Sequence, residues 1–300
     1  MMEYREFVEK IKQDIKERLK GECDVTVKTD LRNNGVLSEV LSIQPVKGAS
    51  GTASVIPLRQ CYKPCMSKLE FEACVETIIR NFRLESSVME SYGFGKDTVP
   101  WDSVKDLVYP VLLSVKENWF LLESLVWRPM LDLSVSYIIR MKIEEGESAL
   151  STRITDTLFN SWRYSDELLY QKAMENLEKE APVLIPMDSL PSAVLSGKKP
   201  KEAEWVKKEQ TYILSNSAWY YGTSMILNKK YLKEISRGCS FYLLPATLHE
   251  IILVGDSDKL SAKSMNAMAE LGNREVRKEE QFQNHAYYYD AEAEDIISCL

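Results

Sequence analysis

Histidine is the scarcest catalytically versatile residue in this chain, with two copies, His249 and His285, in 300 residues. A Ser-His-Asp triad, a Cys-His pair or a multi-histidine metal site would have to use one of them. His249 and Glu250 begin like the metalloprotease pattern, but the next three residues are apolar, so the second histidine one helical turn on is missing. The sequence therefore contains no intact histidine-based metalloprotease motif.

Long apolar runs are also lacking, since no stretch approaches the roughly 18 uninterrupted apolar residues of a membrane helix. The first residues carry no apolar signal region, so we expect a cytoplasmic protein with no membrane partner. The 12 glycines and 11 prolines are few for this length, and charged residues make up 28%, as in ordinary globular proteins. A net charge of −7 argues against general nucleic-acid binding.

The six cysteines do not build a recognisable metal or redox motif. Cys61 and Cys65 are spaced C-x₃-C, whereas zinc and thioredoxin-type pairs use C-x₂-C, and no second pair completes four ligands. We therefore expect reduced thiols, no metal and no cofactor. Residues 93–97 faintly echo a phosphate loop, but Glu90 occupies the place of its first glycine and Asp97 that of the magnesium-binding Ser or Thr. Phosphate binding is not expected there.

Residues 240–255 form the densest apolar stretch that contains a turn, and we expect the C-terminal half to be organised around it. Residues 241–244 and 251–254 have the length and composition of buried strands. Pro245 cannot donate to a sheet ladder, so the chain should leave the sheet there and return.

Hydrophobic periodicity predicts the remaining elements, with reversals at Asn33-Asn34-Gly35 and Glu145-Gly146-Glu147 and a loop over 86–100. Predicted helices cover 4–19, 68–83, part of 118–129, 166–179 after a Ser165 cap, 229–236, and a last one from a cap at Ser257 or Asp258 to Gly272. Predicted strands cover 23–27, 36–43, 53–58, 108–115, 133–143, 149–154, 211–215, 222–227 and an edge strand at 287–289.

Strands and helices do not alternate regularly, which favours an α+β fold over a doubly wound one. We expect two lobes with mainly antiparallel mixed sheets flanked by helices. The proline- and lysine-rich residues 186–204 would link an N-terminal lobe, 1–185, to a C-terminal lobe, 205–300, centred on 240–255.

Two aromatic runs, 219–221 and 287–289, could offer stacking surfaces for nucleic-acid bases, with Lys229, Lys230 and Arg237 supplying charge. Consecutive side chains on a strand point to opposite faces, so only alternate rings can share a surface, and use in the core or an interface is favoured. Trp219, Tyr221 and Tyr288 are the binding candidates. Carboxylates are plentiful, but none forms a recognisable pair, and the sequence does not bring Asp102, Asp106, Asp132 and Asp156 together.

Seven segments carry a likeness to known sequences: MEYREFV at 2–8, KTDLRNNG at 28–35, NWFLL at 118–122, LDL at 131–133, YILSN at 212–216, LLPATLHEIIL at 243–253 and YYYD at 287–290. On these, the chain resembles an uncharacterised domain-of-unknown-function family of gut anaerobic bacteria over nearly its whole length. The resemblance implies no activity and transfers no catalytic residue.

The absence of an intact motif leads to a non-enzymatic intracellular binding or protein-interaction protein as the first hypothesis. Its contact surface would be the cleft between the lobes near 240–255, and its partner another protein, with a mobile-element or defence-related protein as one candidate class. The competing hypothesis is a hydrolase or transferase that uses His249 and Glu250 with carboxylates of the other lobe. Binding of RNA through the tyrosines is a third, weaker alternative.

Overall fold

The computed structural model describes residues 2–46, 53–95, 98–142 and 149–300. Its helices are α1 (Tyr4–Arg18), α2 (Leu58–Cys61), α3 (Lys68–Ser91), α4 (Trp101–Val104), α5 (Val115–Leu122), α6 (Asp156–Trp162), α7 (Asp166–Lys179), α8 (Leu190–Ser196), α9 (Lys229–Ser236) and α10 (Ala262–Asn273). The predicted turn at 145–147 and two residues of the 93–97 stretch, Lys96 and Asp97, lie outside the described residues.

The described strands all pair antiparallel and form three sheets. They are β1 (Cys23–Leu31), β2 (Leu37–Pro45), β3 (Ser54–Pro57), β4 (Val108–Ser114), β5 (Trp127–Met130), β6 (Leu133–Lys142), β7 (Ala149–Arg153), β8 (Pro182–Pro186), β9 (Thr211–Asn216), β10 (Phe241–Pro245), β11 (Ile251–Gly255), β12 (Tyr287–Asp290) and β13 (Asp295–Ser298). The first sheet has the order β1-β2-β3, the second β4-β6-β5 with β7 also on β6, and the third β13-β12-β10-β11-β9-β8. The predicted α+β class with mainly antiparallel sheets is confirmed.

The N-terminal sheet has its own hydrophobic core, made by residues 7–82. In α1, Phe7, Ile11 and Ile15 recur at helical spacing and are fully buried, while the residues between them are mostly charged. They pack with α3, whose start is fixed by a capping box between Ser67 and Glu70. The tip of the β1–β2 hairpin, Asn33–Gly35, leaves this body and reaches the rest of the molecule.

The second and third sheets share one larger core that runs from Phe94 to Ile296 in sequence. The division into two lobes at 186–204 stays a prediction. The structure adds that β8, before that stretch, pairs with β9, after it, and that α8 lies within it.

The predicted strand pair in 240–255 is confirmed and lies in the middle of the six-stranded sheet. β10 and β11 pair over their full lengths, from Phe241 opposite Gly255 to Pro245 opposite Ile251. Every residue of β10 is buried, because one side of the strand faces the large core and the other packs under α10. Pro245 ends the strand, as its missing N–H requires.

The predicted strand at 222–227 is wrong, because these residues form a 3₁₀ helix, Gly222–Leu227. The side-chain amide of Asn216 accepts from the N–H of Tyr220 and donates to its carbonyl, so the chain turns sharply as soon as β9 ends. Gly222 then packs so closely against the carbonyl of His249 that no side chain fits. The buried 3₁₀ helix satisfies backbone groups locally, as in the hydrogen bond from the Ser224 N–H to the carbonyl of Tyr221 at 3.1 Å.

Four smaller predictions need correction. α3 continues to Ser91 through residues assigned to a loop, because Val88 and Met89 pack on the large core. The strand β5 was not predicted, because Pro129 argues against a strand. Among the described strands β5 pairs with β6 alone, and a proline is tolerated in such an edge strand.

Residues 287–289 are not an edge strand, since β13 pairs on their outer side. The cap of α10 is Ser261, not 257 or 258, and the helix ends one residue past Gly272.

Candidate functional site

His249 supports the turn that follows β9. Its Nδ1 accepts a hydrogen bond from the backbone N–H of Tyr221 at 3.1 Å, and its carbonyl accepts from the hydroxyl of Ser215 at 2.8 Å. The ring of Tyr220 stacks on the imidazole with centroids 5.5 Å apart. Glu250 is half-buried and its N–H donates to Thr247. The structure shows the hydrogen bonds that hold His249 in this turn. A catalytic role for His249 and Glu250 stays a prediction.

The three aromatic binding candidates lie in two places. Trp219 and Tyr221 belong to the turn beside His249, both with positive φ, and Trp219 is 45% exposed. Tyr288 lies on β12, where its hydroxyl donates to Asp256 at 2.7 Å and its ring meets that of Tyr242. Their use as a binding surface stays a prediction, and Tyr288 belongs to a different side-chain cluster from the other two.

The thiol of Cys61 meets Cys74, not Cys65. The Cys61 thiol donates to the carbonyl of Pro57, and its proximity lowers the pKa of the Cys74 thiol below its ordinary value, while Cys65 is exposed. Within the described part of the chain, no group of three or more His, Cys, Asp or Glu side chains could hold a metal ion.

A cavity of about 740 Å³ lies where the β1–β2 tip, the start of α5, the β5–β6 turn and residues 273–285 meet. We call it the Asp132 cavity. Its buried lining consists of Asn34, Asn273, Phe282 and His285. Preformed concave sites of this size, with an apolar wall and a few converging polar groups, are where proteins bind small molecules.

Asp132 is the charged centre of the cavity wall. Its Oδ1 accepts from the hydroxyl of Tyr287 at 2.8 Å, and its Oδ2 accepts from the side-chain amide of Gln283 at 2.8 Å. The Nε2 of His285 lies 3.4 Å from Oδ2, close enough for attraction but without the alignment of a hydrogen bond. Burial acts to raise the pKa of Asp132, but His285 and Tyr287 outweigh it and lower the pKa below its usual range.

Tyr287 is fully buried and stays protonated, because burial and the adjoining carboxylate both raise the pKa of its hydroxyl. It therefore acts as a fixed donor to Asp132. Together with Gln283, it holds the carboxylate in one orientation and uses two of its lone pairs.

Asn273 and His285 line the cavity, but the Oδ1 of Asn273 and the Nε2 of His285 are themselves buried and have no hydrogen-bond partner of good geometry. Asn273 is 3% exposed and His285 7%. Leaving such a group unpaired costs about 1–3 kcal/mol, so native structures rarely keep one without water or a ligand to bind it. Neither atom is open to the cavity, and the Nε2 of His285 faces Oδ2 of Asp132 at 3.4 Å, so both belong to the packing of the cavity wall.

The opposite wall is held by Asn34 at the hairpin tip. Its backbone N–H donates to the Asn118 side chain at 2.7 Å, and the Asn118 amide donates back to Oδ1 of Asn34 at 2.8 Å. Its own amide donates to the carbonyls of Lys278 and Gln281. Asn34 has a φ of 58°, a left-handed conformation that asparagine tolerates better than most residues. The cavity is thus built across the two hydrophobic cores and is preformed on this side.

The turn that carries Asp132 has an unusual backbone. Leu131 and Asp132 are the two-residue loop between β5 and β6, and Leu131 has a φ of 55° at a position where hairpins favour glycine. Such strain persists where the surroundings enforce it and clusters at functional sites.

Sequence reasoning missed this site. Sequence reasoning could not pair Asp132 with another carboxylate. It also built its catalytic hypothesis on His249 and not on His285. A signal was present, because LDL at 131–133 and YYYD at 287–290, two of the segments of resemblance, carry Asp132 and Tyr287.

The model of a family of unknown function, DUF5688, matches residues 4–291. The chain belongs to this family. The match includes Asp132, Gln283, His285 and Tyr287, and DUF5688 brings no activity with it. The chain has no match among the curated proteins or among the solved structures. None of the described helices has both the length and the apolar character needed to cross a membrane.

Proposed function

We propose that this protein binds a small molecule in the Asp132 cavity and acts as a binding protein, not as an enzyme. The observation that carries the proposal is a preformed cavity of about 740 Å³ on whose wall Tyr287 and Gln283 hold the Asp132 carboxylate in one orientation. The site thus differs from the expected cleft near 240–255.

Binding is favoured over catalysis by the state of Asp132. Its lowered pKa makes it a weak base at neutral pH, and two of its lone pairs are occupied by Tyr287 and Gln283. A general base needs the opposite, a raised pKa and a free lone pair. A cytoplasmic location and a protein partner belong to the same proposal, the former supported by six cysteines that are all free thiols.

The test is a binding screen by NMR on the full chain, with a fragment library of neutral, anionic and cationic members. We expect bound fragments to shift the ring resonances of His285 and not those of His249. Val115→Phe, at the cavity wall, should abolish these shifts by filling the space. Val194→Phe is the matched control, because Val194 is 79% exposed on α8, away from the cavity.

A library without a single hit at His285 would refute the proposal. So would hits that persist in a folded Val115→Phe protein. If Val115→Phe does not fold, His285→Gln takes its place, and binding is then read from the backbone amide resonances of the cavity lining.

A further inference from the structure

The Asp132 carboxylate is accessible as well as hydrogen-bonded. Its side chain lines the cavity and is 36% exposed, although Tyr287 and Gln283 hold it in place. Its Oδ2 binds Gln283 and also faces His285, whereas Oδ1 has one hydrogen-bond partner among the described residues, Tyr287. A carboxylate oxygen has two lone pairs, so Oδ1 retains the capacity to accept from a donor on a ligand.

This carboxylate is ionised and has no permanently positive partner. Its pKa lies below the usual range, and the two groups that donate to it, the Tyr287 hydroxyl and the Gln283 amide, are uncharged. Over the ranges that the structure describes, no lysine or arginine forms an ion pair with Asp132, and the imidazole of His285 is the one basic group beside it. Partly buried charges are usually paired with an opposite charge, so this wall of the cavity suits a positively charged group.

The lysines of the lining do not reverse this preference. Lys116 and Lys278 are exposed, and Glu117, which is also exposed on the lining, carries the opposite charge. Exposed charges are surrounded by water and screened by salt, whereas a charge held in the wall is screened much less. The charge that a bound ligand meets at close range is therefore that of Asp132.

The wall next to Asp132 is apolar and includes an aromatic ring. Trp127 and Pro129 are two residues apart on β5, so they share one face of the strand, and Leu131 continues this wall at the turn before Asp132. Trp127 is half-buried and Leu131 is 49% exposed, so both offer surface to a ligand. An indole ring packs against carbon atoms, and its face also attracts cations.

A metal ion is a poorer match for this charge than an organic cation. Hard metal ions take several oxygen ligands, and in the described part of the chain no three His, Cys, Asp or Glu side chains come together to supply them. An ammonium group on a carbon skeleton needs one carboxylate for its charge and an apolar wall for its carbon atoms.

From these observations we infer that the ligand of the Asp132 cavity is an organic cation, a protonated amine attached to an apolar or aromatic body. The inference rests on the proposed function. The ammonium donates a charge-assisted hydrogen bond to Asp132, and the carbon body lies against Trp127 and Leu131.

The test uses three probes that share a phenyl ring on a two-carbon chain and differ in charge. 2-Phenylethylamine is the cation, 2-phenylethanol the neutral probe and phenylacetate the anion. Each is titrated into the full chain at pH 7, where the amine is protonated, while the backbone amide resonances of the cavity lining are followed by NMR. The amine should bind at least about tenfold more tightly than the alcohol, because hydrogen bonds to charged groups are the stronger ones, and phenylacetate should bind most weakly.

Asp132→Asn keeps the size of the side chain and removes its charge. It should weaken the amine at least about tenfold and abolish the preference for the amine over the alcohol. It should also keep its affinity for the alcohol, a readout that a damaged cavity would lose. Asp102→Asn is the matched control, because the Asp102 side chain is 82% exposed on α4 and lies outside the lining. The probe series needs no variant, so the inference stays testable even if Asp132→Asn does not fold.

An alcohol or an acid that binds as tightly as the amine would overturn the inference, and so would a preference for the amine that persists in a folded Asp132→Asn protein. If all three probes are silent, the fragments of the library that reach the cavity decide: cations among them support the inference, whereas only neutral or anionic fragments overturn it. Each of these results leaves the binding function standing. If neither the probes nor the fragment library reach the cavity, the binding function itself fails.

Discussion

The two histidines of this chain lie in regions that differ in one decisive respect. The His249 imidazole accepts a backbone N–H from Tyr221, and the His249 carbonyl accepts from the hydroxyl of Ser215. His285 instead lies beside a cavity, with its Nε2 3.4 Å from the carboxylate of Asp132. The first arrangement stabilises a turn, whereas the second leaves room for a ligand.

The comparison shows that neighbours in sequence are a poor guide to chemistry. Glu250 directly follows His249, but no described side-chain hydrogen bond joins the two. Asp132 and His285 are far apart in the chain and meet because the β5–β6 turn and the segment before β12 line the same cavity. An imidazole held by a backbone N–H indicates a structural role, whereas one beside an oriented carboxylate at a cavity supports the proposed binding site.

The largest expected effect tests whether the His249 region is structural. In Gly222→Ala, the added Cβ would overlap the hydroxyl of Ser215 and the carbonyl of His249 and lie 2.9 Å from the backbone N of Asn216. We expect a loss of about 3 kcal/mol in the free energy of unfolding, measured with urea. Gly272→Ala on exposed α10 is the control and should gain about 1 kcal/mol, because nothing lies within 4 Å of its Cβ. A Gly222→Ala protein as stable as wild type would break the comparison.

The next effect separates the two imidazoles by stability. His249→Ala removes the acceptor of the Tyr221 N–H, which should cost about 2 kcal/mol. His249→Asn should recover most of this loss, since its side-chain oxygen can replace Nδ1. Both variants should bind the cavity ligand as wild type does. Lost binding in a folded His249→Asn protein would point instead to a functional role for this histidine.

A smaller effect concerns Asp132 and depends on pH. Its folded-state pKa is lowered, so its ionised form stabilises the fold above the unfolded value of about 4. That contribution disappears as pH falls through the lower folded value. Asp132→Asn should therefore cost about 1 kcal/mol at pH 7 and nothing measurable near pH 2, as read from urea curves across this range. If the loss of stability in Asp132→Asn did not depend on pH, the negative charge of Asp132 would not be what its contacts with Tyr287 and Gln283 stabilise.

The smallest effect is spectroscopic. Because Nδ1 of His249 accepts a hydrogen bond, its neutral form must carry the proton on Nε2. Nitrogen-15 spectra of the imidazoles should show this single tautomer, unchanged by ligand, while the resonances of His285 move when the cavity fills. The opposite pattern would exchange the roles of the two regions.

Much of the fold could be predicted because local patterns carry it. The buried face of α1, the N-cap at Ser165 and the β10–β11 pair follow from spacing and from single residues such as Pro245. Predictions failed where a long-range contact decided the backbone, as at 222–227, where Asn216 and the carbonyl of His249 impose a 3₁₀ turn on an apolar run.

The sequence by itself determined the α+β class, the central strand pair and membership in DUF5688, since periodicity and composition are local quantities that read directly from the chain. Only the tertiary structure decided which histidine faces a cavity. Hydrogen bonds such as those of Asp132 with Tyr287 and Gln283, or of Asn34 with Asn118, join segments that are distant in sequence and adjacent in space. No local pattern encodes such distances, because they arise from the way the sheets and helices pack around their cores.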